Sequence, residues 1–123
     1  MTIIQAINTL DEIRPNNCPQ PMKISWLSML DGRIKSQIID THKGGEPITF
    51  DGCDEKTSLE TELLADPAYS LMYVKFLESQ INAMEGDISR YASSAESFNS
   101  LFSSFEAHYN RTHLPIGRKI KYF

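Results

Sequence analysis

Eleven apolar residues, Val74, Leu77, Ile81, Met84, Ile88, Tyr91, Ala95, Phe98, Phe102, Phe105 and Tyr109, step alternately by three and four along the chain. That spacing keeps one face of an α-helix apolar over five heptads, so the second half of the protein is committed to helix. A single straight helix over residues 67–112 would span about 70 Å at 1.5 Å per residue. A compact domain of this length has a radius of gyration of only about 14 Å. Gly86-Asp87 is the one break in the pattern, which leaves two forms: a helical hairpin turning there, or one long helix leaving the domain. The flanks carry serine at positions 89, 93, 94, 97, 100, 103 and 104, a weakly helical and uncharged face suited to solvent or to a neighbouring helix.

The first half reads as two further helices. Thr2 and Gln5 form a capping box, followed by Ile3, Ile7 and Leu10 at helical spacing, with Ala6 and Ile13 widening the stripe. Pro15 ends that helix, and Asn16-Asn17-Cys18-Pro19-Gln20-Pro21 is a stiff turn. A second helix is predicted from about Pro21 or Met22 to about Thr41, with Ile24, Leu27, Leu30, Ile34 and Ile38 on its face and Trp26, Met29 and Ile39 on its flanks. Gly32 inside it costs roughly 1 kcal/mol relative to alanine. Trp26, Leu27, Leu30, Ile34, Leu77 and Ile81 are the expected core anchors, since their stripes are the widest apolar surfaces available.

Helical periodicity is lost from Lys43 to Thr57. Gly44-Gly45, Pro47 and Asp51-Gly52 make this an irregular loop of fifteen residues, with Ile48-Thr49-Phe50 able to pair briefly as a strand. Thr57 and Glu60 repeat the capping-box pattern and predict a short helix through Leu63-Leu64; Asp66-Pro67 then opens the last helical region. Leu114-Pro115 stops that region near His113. The final Arg118-Lys119-Ile120-Lys121-Tyr122-Phe123 alternates basic and apolar residues and closes on two aromatics. Such a tail cannot bury both faces within its own domain, so it is expected to dock as an added strand or arm on a partner or a neighbouring copy. The competing form has Tyr122 and Phe123 folded back on their own helices.

Net charge is −4, and the basic residues are unevenly placed: three lie in the last six positions, where there is no acid. A mildly acidic body disfavours general nucleic-acid binding, and no predicted helix has the basic face of a helix-turn-helix protein. No apolar run approaches the roughly 20 residues of a membrane span. The N-terminus shows no secretory signal pattern, and Cys18 and Cys53 form neither a disulfide scaffold nor a C-x-x-C pair, so a reducing cytoplasm is the expected site of synthesis. Catalytic signatures are missing as well. His108 and His113 do not share a helical face, Cys53 sits among acids that disfavour a thiolate, and Gly44-Gly45 is too short for a phosphate cradle. Asp31, Asp40 and His42 are the nearest thing to an acid–base group; the simpler account is a helix end with His42 at its C-terminal dipole and Asp40 in solvent. No cofactor, no metal and no catalysis are expected.

Three stretches are similar to the small head–tail connector (adaptor) proteins of tailed bacteriophages, in the form carried by prophages of Gram-positive bacteria. They are Trp26-Leu27-Ser28-Met29-Leu30-Asp31-Gly32-Arg33-Ile34, then Ile38-Ile39-Asp40-Thr41-His42, and Tyr109-Asn110-Arg111-Thr112-His113-Leu114-Pro115 with Lys119-Ile120-Lys121-Tyr122-Phe123. The resemblance follows nearly the whole chain in order and length, and Cys53 departs from it at a loop position where an aromatic is expected. It implies a mainly helical fold and a homo-oligomeric ring, usually of twelve copies, stacked under the portal protein. Packaged DNA would pass through that ring without specific binding, and the ring would offer a surface to a stopper or tail-completion protein. Some relatives embrace the portal with their C-terminal segments.

The combined expectation is an all-α helical connector domain over residues 1–117 and an extended docking tail over 118–123, forming a structural protein of the virion neck that assembles in the host cytoplasm. The isolated chain need not form the ring without its template. Glu46, Ile48, Phe50, Asp51, Asp54 and Glu55 are the expected channel-facing or inter-subunit positions, where acids would repel DNA phosphates. The alternative is a small, non-enzymatic cytoplasmic regulatory or adaptor protein that dimerises through its heptad-patterned helix.

Overall fold

A computed structural model describes residues 1–38, 42–43, 59–65, 67–112 and 114–115, with residues 42–43 and 114–115 described by their backbone alone. These residues form an all-α bundle. In chain order they give α1 (Ile3–Ile13), α2 (Gln20–Gln37), β1 (His42–Lys43), a 3-10 turn (Pro67–Tyr69), α3 (Leu71–Met84), α4 (Ile88–Thr112) and β2 (Leu114–Pro115).

The start of α1 is as its sequence predicts. Thr2 Oγ1 accepts from the Gln5 amide at 3.3 Å, and Gln5 Oε1 accepts from the Thr2 amide at 2.9 Å. The other two first-turn amides find partners that no local pattern announces. Ile3 N–H donates to the Thr61 carbonyl at 3.1 Å and Ile4 N–H to the Leu59 carbonyl at 3.0 Å, while Leu63 N–H donates to the Met1 carbonyl at 2.9 Å. Residues 59–63 therefore run antiparallel to the N-terminus, with Thr2 bridged to Glu62. The expected short helix through Leu63-Leu64 does not form, because its backbone groups serve the free end of α1 instead. Leu63 and Ala65 enter the core from this extended segment.

On α2 the face Ile24, Leu27, Leu30, Ile34 and Ile38 is buried as predicted, but the helix ends at Gln37, before the expected Thr41. His42 consequently lies in a strand and not at a helix C-terminus. Trp26, expected among the core anchors, is only half-buried and packs on the rim; Met29 and Ile13 are exposed. Trp26 sits one position off the 24-27-34-38 stripe, so its ring is turned away from the axis of the core. Lys23 Nζ reaches Asp11 Oδ1 at 2.7 Å and ties α2 to α1.

Helices α3 and α4 form the hairpin, which settles the two forms that the heptad pattern allows. Gly86 takes φ +75°, Gly86 N–H donates to the Ala83 carbonyl at 3.2 Å and Asp87 N–H to the Asn82 carbonyl at 3.0 Å. This Schellman arrangement ends α3. Asp87 Oδ1 then accepts from the Arg90 amide at 3.1 Å and caps the start of α4. The predicted seam is thereby folded onto itself. Val74, Leu77 and Ile81 are buried on one arm and Phe98, Phe102 and Phe105 on the other, while Met84, Ile88 and Tyr91 around the turn are exposed. Phe76 and Phe98 meet with ring centroids 5.2 Å apart, and Tyr69 and Phe105 at 5.7 Å. Pro67 opens a single 3-10 turn, with the α-helix itself starting at Leu71. Gly86→Ala is expected to cost about 1 kcal/mol through its positive φ alone, since a Cβ there would meet no atom within 4 Å; a chemical denaturation curve measures it.

α4 stops at Thr112, where Leu114-Pro115 predicts a stop. Beyond it, β2 pairs antiparallel with β1, His42 opposite Pro115 and Lys43 opposite Leu114.

Candidate functional site

The proposed docking residues Arg118, Lys119, Ile120, Lys121, Tyr122 and Phe123 lie outside the described residues, as do Glu46, Ile48, Phe50, Asp51, Asp54 and Glu55 of the central loop. What is described is the junction from which both segments depart. The β1–β2 pairing holds His42-Lys43 against Leu114-Pro115, so the chain enters residues 44–58 and leaves toward residues 116–123 from one point. His42, which ends the second connector-like stretch, and Leu114-Pro115 of the third meet there. Of the core anchors, Leu27, Leu30, Ile34, Leu77 and Ile81 lie in one cluster, with Trp26 at its edge.

Asp31, read in the sequence beside Asp40 and His42, belongs instead to a buried polar group with Tyr73. Asp31 of α2 is 2% exposed and Tyr73 of α3 is fully buried. The Tyr73 hydroxyl donates to Asp31 Oδ1 at 2.6 Å and accepts from the Ala65 amide at 2.8 Å; the Leu64 amide donates to Asp31 Oδ2 at 3.1 Å. Burial pushes the Asp31 carboxyl up from 3.8 to about 6, against the opposing pull of its two hydrogen bonds. The Tyr73 phenol is held protonated far above its ordinary range, first by burial and then by the adjacent carboxylate. The signal for this group was present in the sequence. Asp31 completes the spacing 24-27-31-34-38 and so stands in the middle of an apolar stripe. With so little exposure, neither side chain can meet a substrate in this conformation, and the group serves to join α2, α3 and residues 63–65.

A second polar cluster joins α1 to the turn of the hairpin. Arg14 Nε donates to Asn82 Oδ1 at 3.1 Å, Arg14 pairs with Glu85 at 2.5 Å, and Asn82 Nδ2 donates to Ser94 Oγ at 3.2 Å. Beside it, Asn82, Ala83, Gly86, Asp87, Ile88 and Tyr91 line an open hollow of about 210 Å³. Ile88 is 81% exposed there. The small-residue face of α4 borders a shallow groove along Ala92, Ala95, Glu96, Asn99, Ser100 and Ser103. His108 stacks near Tyr69 with ring centroids 5.4 Å apart. Among the described residues no group of three His, Cys, Asp or Glu side chains could hold a metal ion, and no helix is long and apolar enough to cross a membrane. No protein-family model, no curated protein and no solved structure matches the chain.

Proposed function

We propose that the chain is a structural protein of a tailed-phage virion, a head–tail connector that forms a ring under the portal, continues the DNA channel and presents a docking surface to a stopper or tail-completion protein. The observation that carries this reading is the junction of β1 with β2. It sets His42, from one stretch that resembles connectors, against Leu114-Pro115, from another, at the points where the acidic central loop and the basic tail join the described chain. A small helical body in which residues of two such stretches pair is suited to gripping a neighbour or a portal there. Exposed Met84, Ile88 and Tyr91 at the hairpin turn add apolar surface for a neighbouring subunit. The alternative, a regulatory dimer zipped through the heptad seam, is less favoured because Val74, Leu77, Ile81, Phe98, Phe102 and Phe105 bury that seam inside one protomer.

Deleting residues 118–123 tests the reading. The truncated protein should keep its melting temperature within about 2 °C, a change of well under 1 kcal/mol for a domain of this size. It should also fail to assemble onto portal-containing heads. Assembly at the full-length level would show the docking reading to be wrong, and a truncated chain that unfolds several degrees earlier and still assembles would show the tail to be a core element.

A further inference from the structure

Residues 63–65 have few anchors for a segment that closes over a core. None of them is in a helix, Leu63 ends the antiparallel pairing with the N-terminus, and among the described residues three amides hold them: Leu63 N–H on the Met1 carbonyl, Leu64 N–H on Asp31 and Ala65 N–H on the Tyr73 hydroxyl. Two of those three anchors are the two ends of one acid–phenol pair. Beneath them lies a carboxylate whose partners are all neutral donors. Among the described residues it enters no ion pair, and the titratable group facing it is Tyr73 of α3. The nearest cation of its own helix that is buried, Lys23, is taken by Asp11 of α1. The acids of the covering segment, Glu60 and Glu62, are exposed, and Glu62 pairs with the N-terminus.

An ionised carboxylate without a cation is poorly placed in a core, and the smallest movement that would hydrate it is the lifting of the segment that covers it. We infer that residues 63–65 are a proton-controlled flap over Asp31, shut when the carboxyl carries its proton and loosened when it is ionised. The direction follows from linkage. The closed form binds the proton more tightly than an open form with a hydrated carboxylate, so acid favours closure and rising pH favours opening. Leu63 and Ala65, which are buried only while the flap is shut, set the resistance to opening; Leu64, half-buried, adds little.

Amide hydrogen exchange on the intact chain between pH 4 and pH 8, corrected for intrinsic rates, reads the flap directly because the Leu64 and Ala65 amides are its anchors. Their protection should fall about 100-fold over that range, the change that a carboxyl moved from 3.8 to about 6 produces, levelling off above about pH 6. At each pH they should exchange at least about tenfold faster than the Leu77 and Ile81 amides of α3, the mark of a local opening. In Asp31→Asn the fall with pH should disappear. Exchange of Leu64 and Ala65 at the same rate as Leu77 would show that the segment opens only when the whole protein unfolds. Protection that is flat with pH in the wild type, or a step that survives in Asp31→Asn, would likewise overturn the proposal; if that variant does not fold, the wild-type series decides alone.

Discussion

Tyr73→Phe should lower the unfolding free energy by about 2–4 kcal/mol at pH 7.5, one of the two largest single-residue effects expected in this chain. The ring itself is retained, so the packing of α3 is untouched and the loss comes from one oxygen atom. That oxygen satisfies two partners at once, donating to Asp31 and accepting from the Ala65 amide. Without it the amide is orphaned and the carboxylate is left with the Leu64 N–H alone. The penalty should shrink toward pH 4, because a protonated Asp31 no longer needs a donor for its charge. The wild type carries its own pH signature. The folded state holds the Asp31 proton up to about pH 6 and the unfolded chain only to 3.8, so folded protein binds more protons between those values. Stability from this group is therefore highest in acid and declines by about 3 kcal/mol as pH rises from 4 through 6. Urea titrations at pH 5 and pH 7.5 on both proteins measure the two effects together. A Tyr73→Phe loss below about 0.5 kcal/mol at pH 7.5 would show that the hydroxyl bridges nothing of consequence.

Leu30→Ala should cost about 2–5 kcal/mol, the range for truncating a fully buried leucine. Leu30 is 1% exposed and sits between Leu27 and Ile34 on the buried face of α2. That face packs on α3, the helix that α1 and α4 also contact, so a cavity at Leu30 opens beside the element on which the other helices rest. A loss under about 0.5 kcal/mol in a reversible denaturant titration would place Leu30 outside the core.

Much of this architecture was legible from local chemistry. Thr2 with Gln5, the glycine at 86 and the proline at 115 each act within a few residues, and each does in the fold what its type predicts. The stripe of α2 was legible for the same reason. What was not legible depends on pairing across long sequence distances. Thr57 and Glu60 make a credible helix-start pattern before Leu63-Leu64, yet the free amides of α1 claim the carbonyls of Leu59 and Thr61. Periodicity read Met84, Ile88 and Tyr91 into a continuous seam because a repeat of three and four continues across a turn that the helix itself does not cross. Asp31 was weighed by its residue type, beside Asp40 and His42, instead of by its register, which puts it inside. For the tail and the central loop, sequence remains the guide, since both lie outside the described residues.

The pairing of the N-terminus with residues 59–63 also dictates an order of folding. The α3–α4 hairpin closes within some forty residues of chain and can condense early, whereas Met1 and Glu62 meet only after sixty-one residues have been drawn together. During synthesis the order is reversed, because α1 is made before its partners and the Ile3 and Ile4 amides stay without theirs until Leu59 and Thr61 have followed. α1 and α2 then await α3, so the segment made before the hairpin is secured after it.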